Sequence, residues 1–455
     1  VQRLARGLAA EAPAAAGTSG PAARPDRLSE AAPPAQHQGL SRGIGPLGAS
    51  LIAFNGIVGA GIFMLPGLVH AEFGAFGPWL YPLFGLVMLL MVLPLAAVAA
   101  RFEVSGGPVA YVGTAFGPFA GFQAGWLFAL AKLTALAANA NVFATYFTGL
   151  FPGLNPAVAA PVAIVVLVGT LTAANVLGVK QSVRLLGAVS VAKVLPLLIL
   201  ALAALWMFGP ALSAAPQLPS LSKLEASALI LLYAFVGFEN VLVPAGETRD
   251  ARRTIPRALV LTMLITSGFY MLIQFGFLAA NPPANPDAPM IGMGQRVAGP
   301  LGATIVILAV LASLTGNLHG NILTSPRLLF AMSERGVLPG WFGRVSARFG
   351  TPANAILAFS GAALLMALTG SFVWLAVLGT IARLFLFLLV YASLPKLRAD
   401  AGESALPHPA LLAVLLLAAA LCLWAIAQTG RDSWMMLIGC ALAGSLLYWV
   451  AKRRR

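Results

Sequence analysis

Three glycines fall within six consecutive positions in the apolar run Asn55-Gly56-Ile57-Val58-Gly59-Ala60-Gly61-Ile62-Phe63. Glycine weakens a helix, and one that breaks at Gly59, Ala60 and Gly61 leaves free N–H groups at the start of its second half. Such a start is a ready site for a carboxylate. Gly56 and Ala60 also have the small-xxx-small spacing of close helix packing, a plainer reading that leaves Gly59 and Gly61 unexplained. A second apolar run is interrupted at Phe235-Val236-Gly237-Phe238-Glu239. Between the two lies Lys193, in Val189-Ser190-Val191-Ala192-Lys193-Val194-Leu195-Pro196. A charge in such surroundings is expensive and marks function by default. Lys193 is either a permanent structural pin or an ammonium that loads and releases a proton. Glu239 either caps a half-helix, where a negative charge suits the dipole, or senses protons or couples to a substrate.

The remaining polar groups in apolar runs carry weaker signals. Lys132 could snorkel if it lies off-centre, and Arg383 could pair with backbone carbonyls. Asn139 and Asn141 line a site or simply join helices, and His319 reads as an interhelical donor before a proton relay. No His-Glu-x-x-His motif and no carboxylate pair stands in these runs, so an intramembrane hydrolase has no chemistry to use, and no P-loop is present to bind ATP. The sequence calls for no cofactor and no metal.

The elements that position these residues follow from composition. Of 455 residues, 59% are hydrophobic and only 9% charged, and the mean hydropathy is +0.89. A soluble domain carries about 25% charged residues, so this chain cannot cover itself with a water-facing surface. It reads as an all-α integral membrane protein. Cys422 and Cys440 lie in apolar stretches and read as small core residues. The net charge of +14 would suggest nucleic acid in a soluble protein; here the basic residues fall between apolar runs and report topology, so no nucleic acid is expected.

Residues 1–45, rich in Ala, Pro and Gly, have no hydrophobic period and no continuous apolar core, and read as a disordered tail rather than a cleaved signal. From Pro46 onward, twelve apolar runs have the length that crosses a bilayer core of about 30 Å as a helix. They lie at about 47–70, 76–100, 119–148, 157–178, 187–208, 225–245, 257–280, 299–325, 354–369, 372–392, 409–428 and 432–450. Lys and Arg alternate sharply between their connections: twenty-two lie on one side, both termini included, and only Lys223, Arg296 and Arg431 on the other. The positive-inside rule then predicts a multi-pass protein of the cell (inner) membrane with both termini cytoplasmic. The two glycine interruptions fall in the first and sixth spans. Interrupted helices at corresponding positions of two halves point to a transporter binding site, and an odd number of spans per half requires the second half to be inverted. The halves would be about 46–208 and 224–392, forming a core over 46–392, with two additional helices and a basic tail over 409–455.

Four motifs in this order resemble the amino acid, polyamine and organocation (APC) transporters: Gly59-Ala60-Gly61-Ile62-Phe63; Phe235-Val236-Gly237-Phe238-Glu239; Ala245-Gly246-Glu247 followed by Thr254-Ile255-Pro256-Arg257-Ala258; and the run from Ser325-Pro326-Arg327 to Gly336-Val337-Leu338-Pro339. The chain departs from the family at Asp250-Ala251, where members often carry Asn-Pro. The resemblance implies a LeuT-type 5+5 inverted repeat with broken helices 1 and 6 holding an amino acid near the midplane. Its carboxylate would meet the N–H groups of Gly59 to Gly61 beside Ile57, and its ammonium the carbonyls around Phe235, Val236 and Gly237. Tyr233 lies where the family places a gating aromatic, although plain packing also explains it. By the same resemblance the Lys193 ammonium takes the place of a sodium ion, between carbonyls of the first broken helix and the eighth-span hydroxyls of Ser313 and Thr315. The resulting expectation is a sodium-independent secondary active permease for amino acids, proton-coupled or exchanging, whose partners are the substrate, protons and the lipid bilayer. A polyamine or organocation antiporter and a membrane subunit driven by a separate ATPase are the alternatives. Nothing in the sequence indicates an oligomeric state.

Overall fold

The structure is a computed structural model that describes residues 44–102, 106–151, 153–178, 183–209, 216–242, 245, 248–283 and 285–453. The tail up to residue 43, Lys180 and the Gly246-Glu247 part of the third motif lie outside the described residues. The fold is all-helical, with a lone bridge between Ile44 and Thr248. In chain order the helices are α1 (Pro46–Ile57), α2 (Gly61–Phe73), α3 (Gly77–Ala99), α4 (Pro108–Phe116), α5 (Pro118–Leu150), α6 (Pro156–Val176), α7 (Val183–Phe208), α8 (Leu221–Tyr233), α9 (Ala251–Ala280), α10 (Pro289–Thr324), α11 (Pro326–Glu334), α12 (Ala353–Thr369), α13 (Phe372–Asp400), α14 (Pro409–Ala427) and α15 (Arg431–Arg453).

Proline and short polar side chains punctuate these helices. Proline stands in the first turn of α1, α4, α5, α6, α10, α11 and α14, where its missing N–H is no loss and its φ suits a helix. Ser220 and Ser371 accept hydrogen bonds from the backbone N–H groups of Lys223 and Trp374 and cap α8 and α13. Within α10 the backbone leaves helical geometry at Ala298 and Gly299, Gly299 having φ +58°, and resumes at Pro300. The short α4 was not read from the sequence, because its nine residues are too few to register as a span.

Among the described residues, nine helical stretches are long and apolar enough to cross a membrane. Helices α1 and α12 and the stretch 193–208 are apolar but shorter. In α1 the cause is the interruption that splits the first apolar run. The surface is as apolar as a core: Leu86, Val162, Ile199, Leu202, Leu264, Leu301, Leu365, Leu416 and Leu442 are exposed on the outside of the bundle. A patch of this extent is the signature of a lipid-facing surface. Trp79 and Trp449 are also half-exposed, as interface anchors are. Several polar groups lie inside, with Lys132, Asn139, Lys193, Glu239, His319 and Arg383 all buried. The most enclosed helix is α5, packed against α13, α10, α12, α6 and α4, while α3 and α9 pack against each other.

Candidate functional site

The first apolar run breaks where its glycines predict. Helix α1 ends at Ile57 and α2 begins at Gly61. Across the break the Gly59 N–H turns back to the Ile57 carbonyl, 2.9 Å away. The Ala60 N–H donates to Asn139 Oδ1 on α5 at 2.7 Å. Gly61 and Ile62 then open α2, and the first amides of a helix have no acceptor within it. Ile57 is buried, and its carbonyl also accepts from the Tyr270 hydroxyl at 3.3 Å.

The second interruption begins after Tyr233, where α8 stops. Here Ala234, Phe235 and Val236 donate back to the carbonyls of Leu231, Leu232 and Tyr233, and a 3-10 turn runs from Phe238 to Leu242. Of the carbonyls expected to meet an ammonium, that of Gly237 already accepts from the Asn240 N–H at 3.2 Å. The two interruptions touch. A Cβ on Gly61 would lie 3.7 Å from Tyr233 Cδ1 and from Ala234 Cα. Gly56 and Gly237 pack backbone to backbone, so that a Cβ on either would run into the carbonyl of the other. This contact accounts for Gly56, whose place in the sequence allowed a packing role without naming a partner. The Tyr233 ring meets Phe372 edge-on at 5.7 Å, and the Phe235 ring lies 5.8 Å from Tyr270.

Lys193 on α7 reaches the end of α1. Its Nζ donates to the carbonyls of Val58 at 2.8 Å and Asn55 at 3.1 Å, which the end of a helix leaves without donors. Neither of the two hydroxyls expected on the other side of the ammonium makes a hydrogen bond to it. Thr315 donates to Leu311 of its own helix at 2.7 Å, the habit of a threonine inside a helix. Ser313 Oγ is buried without a hydrogen-bond partner among the described residues. The residue that α10 sends to this point is Asn317, whose Nδ2 donates to the Asn55 carbonyl at 3.3 Å. Removing both hydroxyls should therefore be mild: Ser313→Ala with Thr315→Val is expected to shift the midpoint of thermal unfolding in detergent by no more than about 2 °C, since neither hydroxyl satisfies another element.

Glu239 is fully buried and engaged through both oxygens. Its Oε2 accepts from the Gly237 N–H at 2.8 Å, at the start of the 3-10 turn. Its Oε1 meets Arg383 Nε of α13 at 2.8 Å and Lys132 Nζ of α5 at 3.4 Å. Lys132 therefore does not snorkel; it is buried, bonds Asn240 Oδ1, and lies 5.0 Å over the Phe128 ring. Arg383 does hold a backbone carbonyl, that of Gly379 at 3.0 Å, in addition to the carboxylate. Two cations thus share one buried carboxylate. His319 approaches Asn175 at 3.5 Å, and Asn141 bonds the Gly370 carbonyl at 2.9 Å.

A family model for the amino acid permeases matches residues 44–441. The chain belongs to the amino acid permease family. It is a transporter of the APC group, as the four motifs indicated, and a multi-pass membrane protein. An uncharacterized transporter of Mycobacterium tuberculosis is 34% identical to this permease over 332 residues, covering 70% of this chain and 72% of that protein. The serine/threonine exchanger SteT of Bacillus subtilis is 27% identical, covering 67% and 71%. A methylthioribose transporter of the same bacterium is 24% identical over 442 residues, covering 91% and 94%.

Sequence reasoning about the permease missed Asn317 and Asn240 entirely, and it treated Lys132, Glu239 and Arg383 singly. The signal for the trio was present: charged groups inside spans pair with one another, and one carboxylate stood against these cations. Asn317 offered no comparable signal, since an asparagine in an apolar helix only states that some partner exists.

Proposed function

We propose that this permease is a sodium-independent secondary active transporter of amino acids, proton-coupled or exchanging. The observation that carries the reading is the meeting of two interrupted helices, Gly56 against Gly237, beside an ammonium held on the open carbonyls of the first. The amides of Gly61 and Ile62, joined by Ala60 when it is released, suit the carboxylate of an amino acid. The carbonyls of Phe235 and Val236, past the end of α8, suit its ammonium. Tyr233, against Phe372, covers the Gly61 side of this place. Lys193 supplies the positive charge that a sodium ion would otherwise bring, and its pairing with carbonyls rather than a carboxylate among the described residues leaves it able to exchange a proton.

The arrangement supports twelve spans in a LeuT-type inverted repeat, with halves over 46–208 and 224–392, two further helices over 409–455, and both termini cytoplasmic in the inner membrane. Each of the twelve runs overlaps a described helix or a broken pair of helices, with α9 and α10 beginning earlier and α13 ending later than their runs. The buried charges favour a zwitterion over a polyamine. Lys132, Lys193 and Arg383 outnumber Glu239 in the interior, and an additional polycation there would be repelled. Among the described residues no second carboxylate stands in this cluster to receive it.

Transport by the purified chain in liposomes tests the reading. With each of the twenty L-amino acids in turn, at least one is expected to be taken up or exchanged, with no ATP and no second protein, at a rate in choline within about twofold of that in sodium. A loss of more than about tenfold in choline, roughly 1.4 kcal/mol of coupling, would show a sodium site and remove that role from Lys193. Flux of methylthioribose without flux of any amino acid would replace the substrate class.

A further inference from the structure

A chain of side-chain amides runs through the site that neither the charge cluster nor the helix dipoles require. Asn139 Oδ1 accepts from the Ala60 N–H at 2.7 Å. Asn139 Nδ2 donates to Asn317 Oδ1 at 2.8 Å. Asn317 Nδ2 in turn donates to the Asn55 carbonyl at 3.3 Å, and that carbonyl also accepts from Lys193 Nζ at 3.1 Å. Four elements are joined: the break after α1, α5, α10 and α7. Asn139 is buried, and a Cβ on Gly59 would stand 3.1 Å from its Oδ1 and 3.7 Å from Asn317 Nδ2. The two asparagines therefore lie directly against the break.

We propose that Asn139 is a positioning residue that stands in for the substrate carboxylate on the Ala60 amide, and that Asn317 passes its displacement to the carbonyl seat of Lys193. The inference rests on the reading of the α1–α2 break as a carboxylate site. An amide oxygen and a carboxylate oxygen make the same demand of an N–H donor, and the carboxylate makes the stronger bond because it is charged. A carboxylate arriving at Ala60 releases Asn139 Oδ1, and the amide that bridges Asn139 to Asn317 must reorient to find another donor. Asn317 then shifts on the Asn55 carbonyl, one of the two oxygens that hold Lys193. Occupancy of the break and the binding of the ammonium become linked through one shared carbonyl, with a coupling that acts equally in both directions.

The consequence is opposite to that of an ordinary binding residue. Removing Asn139 removes a competitor for the Ala60 amide, so the substrate binds more tightly. Dissociation constants are to be measured by thermal shift and calorimetry on the full purified chain, with each of the twenty L-amino acids as probe and, for every one that binds, the amine lacking its carboxylate. In Asn139→Ala the amino acid is expected to bind roughly fivefold more tightly, the worth of one net hydrogen bond, while the amine is unchanged. In Asn317→Ala, where Asn139 keeps the Ala60 amide but loses its tie to the Lys193 seat, the mutual effect of Lys193→Met and substrate binding should disappear. A double-mutant cycle between Asn139→Ala and Lys193→Met is expected to show at least threefold non-additivity in the dissociation constant. Equal tightening of amino acid and amine would assign Asn139 a packing role and overturn the inference. So would weaker amino acid binding in an Asn139→Ala chain that unfolds at the wild-type temperature, since Asn139 would then be a direct ligand. Additive effects in the cycle would overturn the link to Lys193. Absence of binding by the wild-type chain for all twenty amino acids would instead bring down the carboxylate site itself, and this inference with it.

Discussion

Glu239→Gln is expected to be the most damaging single conservative change in the permease. The substitution keeps the shape and the acceptor for the Gly237 N–H, and removes the negative charge that, among the described residues, faces Arg383 at 2.8 Å and Lys132 at 3.4 Å. Two cations are then left buried against one another. Breaking a buried ion pair by deleting one partner costs about 3–5 kcal/mol, because the remaining charge has lost its compensation and cannot recover its water. The measurement is thermal unfolding in detergent together with the yield of monodisperse protein. The distances also predict an order. Arg383→Met should approach Glu239→Gln in severity, since its guanidinium makes the short contact and also holds the Gly379 carbonyl. Lys132→Met should be milder, because it reduces the excess of positive charge and leaves the Arg383–Glu239 pair intact. A Glu239→Gln protein as stable as the wild type would mean that water reaches the cluster and screens it.

The second large effect is expected at the crossing of the two interruptions. Gly237 has φ +114°, a conformation closed to side chains without strain, and a Cβ there would be driven into the Gly56 carbonyl. Gly56→Ala would strike the Gly237 carbonyl and also stand 2.6 Å from Asn240 Nδ2. Asn240 can swing aside, but the two carbonyls are backbone, so one interrupted helix must move away from the other. Backbone strain and overpacking together are worth on the order of 2–6 kcal/mol at Gly237, and about 1–3 at Gly56, where only overpacking applies. Transport should be lost in both, because the amides and carbonyls on either side of the crossing separate. Gly361→Ala is the control: it is helical and has open space around the added carbon, so it should unfold at or slightly above the wild-type temperature. Wild-type transport by Gly237→Ala would show that the close approach is not needed.

These expectations also mark what could be read from residue order. Lys193 could be placed against the carbonyls of the first broken helix because three facts coincide in one dimension: an apolar span cannot leave an ammonium unpaired, a broken helix leaves carbonyls open, and the family resemblance sets the two side by side. The bond that Thr315 makes to Leu311 could not be read in the same way. The hydroxyl had a partner within its own turn, and a bond from i to i−4 makes no mark on the pattern of the sequence. Asn317, two positions further along α10, faces Asn55 and Asn139 only because of how that helix is rotated. Lys132 and Arg383 were visible as charges, yet their joint hold on Glu239 depends on three helices converging at one depth.

Residue order alone determined the all-helical membrane character, the positions of the apolar runs, the two interruptions and the kinship with the amino acid permeases. Each of these follows from properties that accumulate along the chain: the length of apolar runs against the thickness of a bilayer, the conformational freedom of glycine, and the need for every backbone amide in lipid to find its partner nearby. Tertiary structure alone decided which polar groups meet. A helix carries side chains in all directions about its axis, and its neighbours and rotation are set by packing summed over its whole length. The pairing of Glu239 with two cations, the contact of Gly56 with Gly237 and the amide chain from Ala60 to Lys193 are all products of that packing, because they join residues far apart in sequence whose approach no local property encodes.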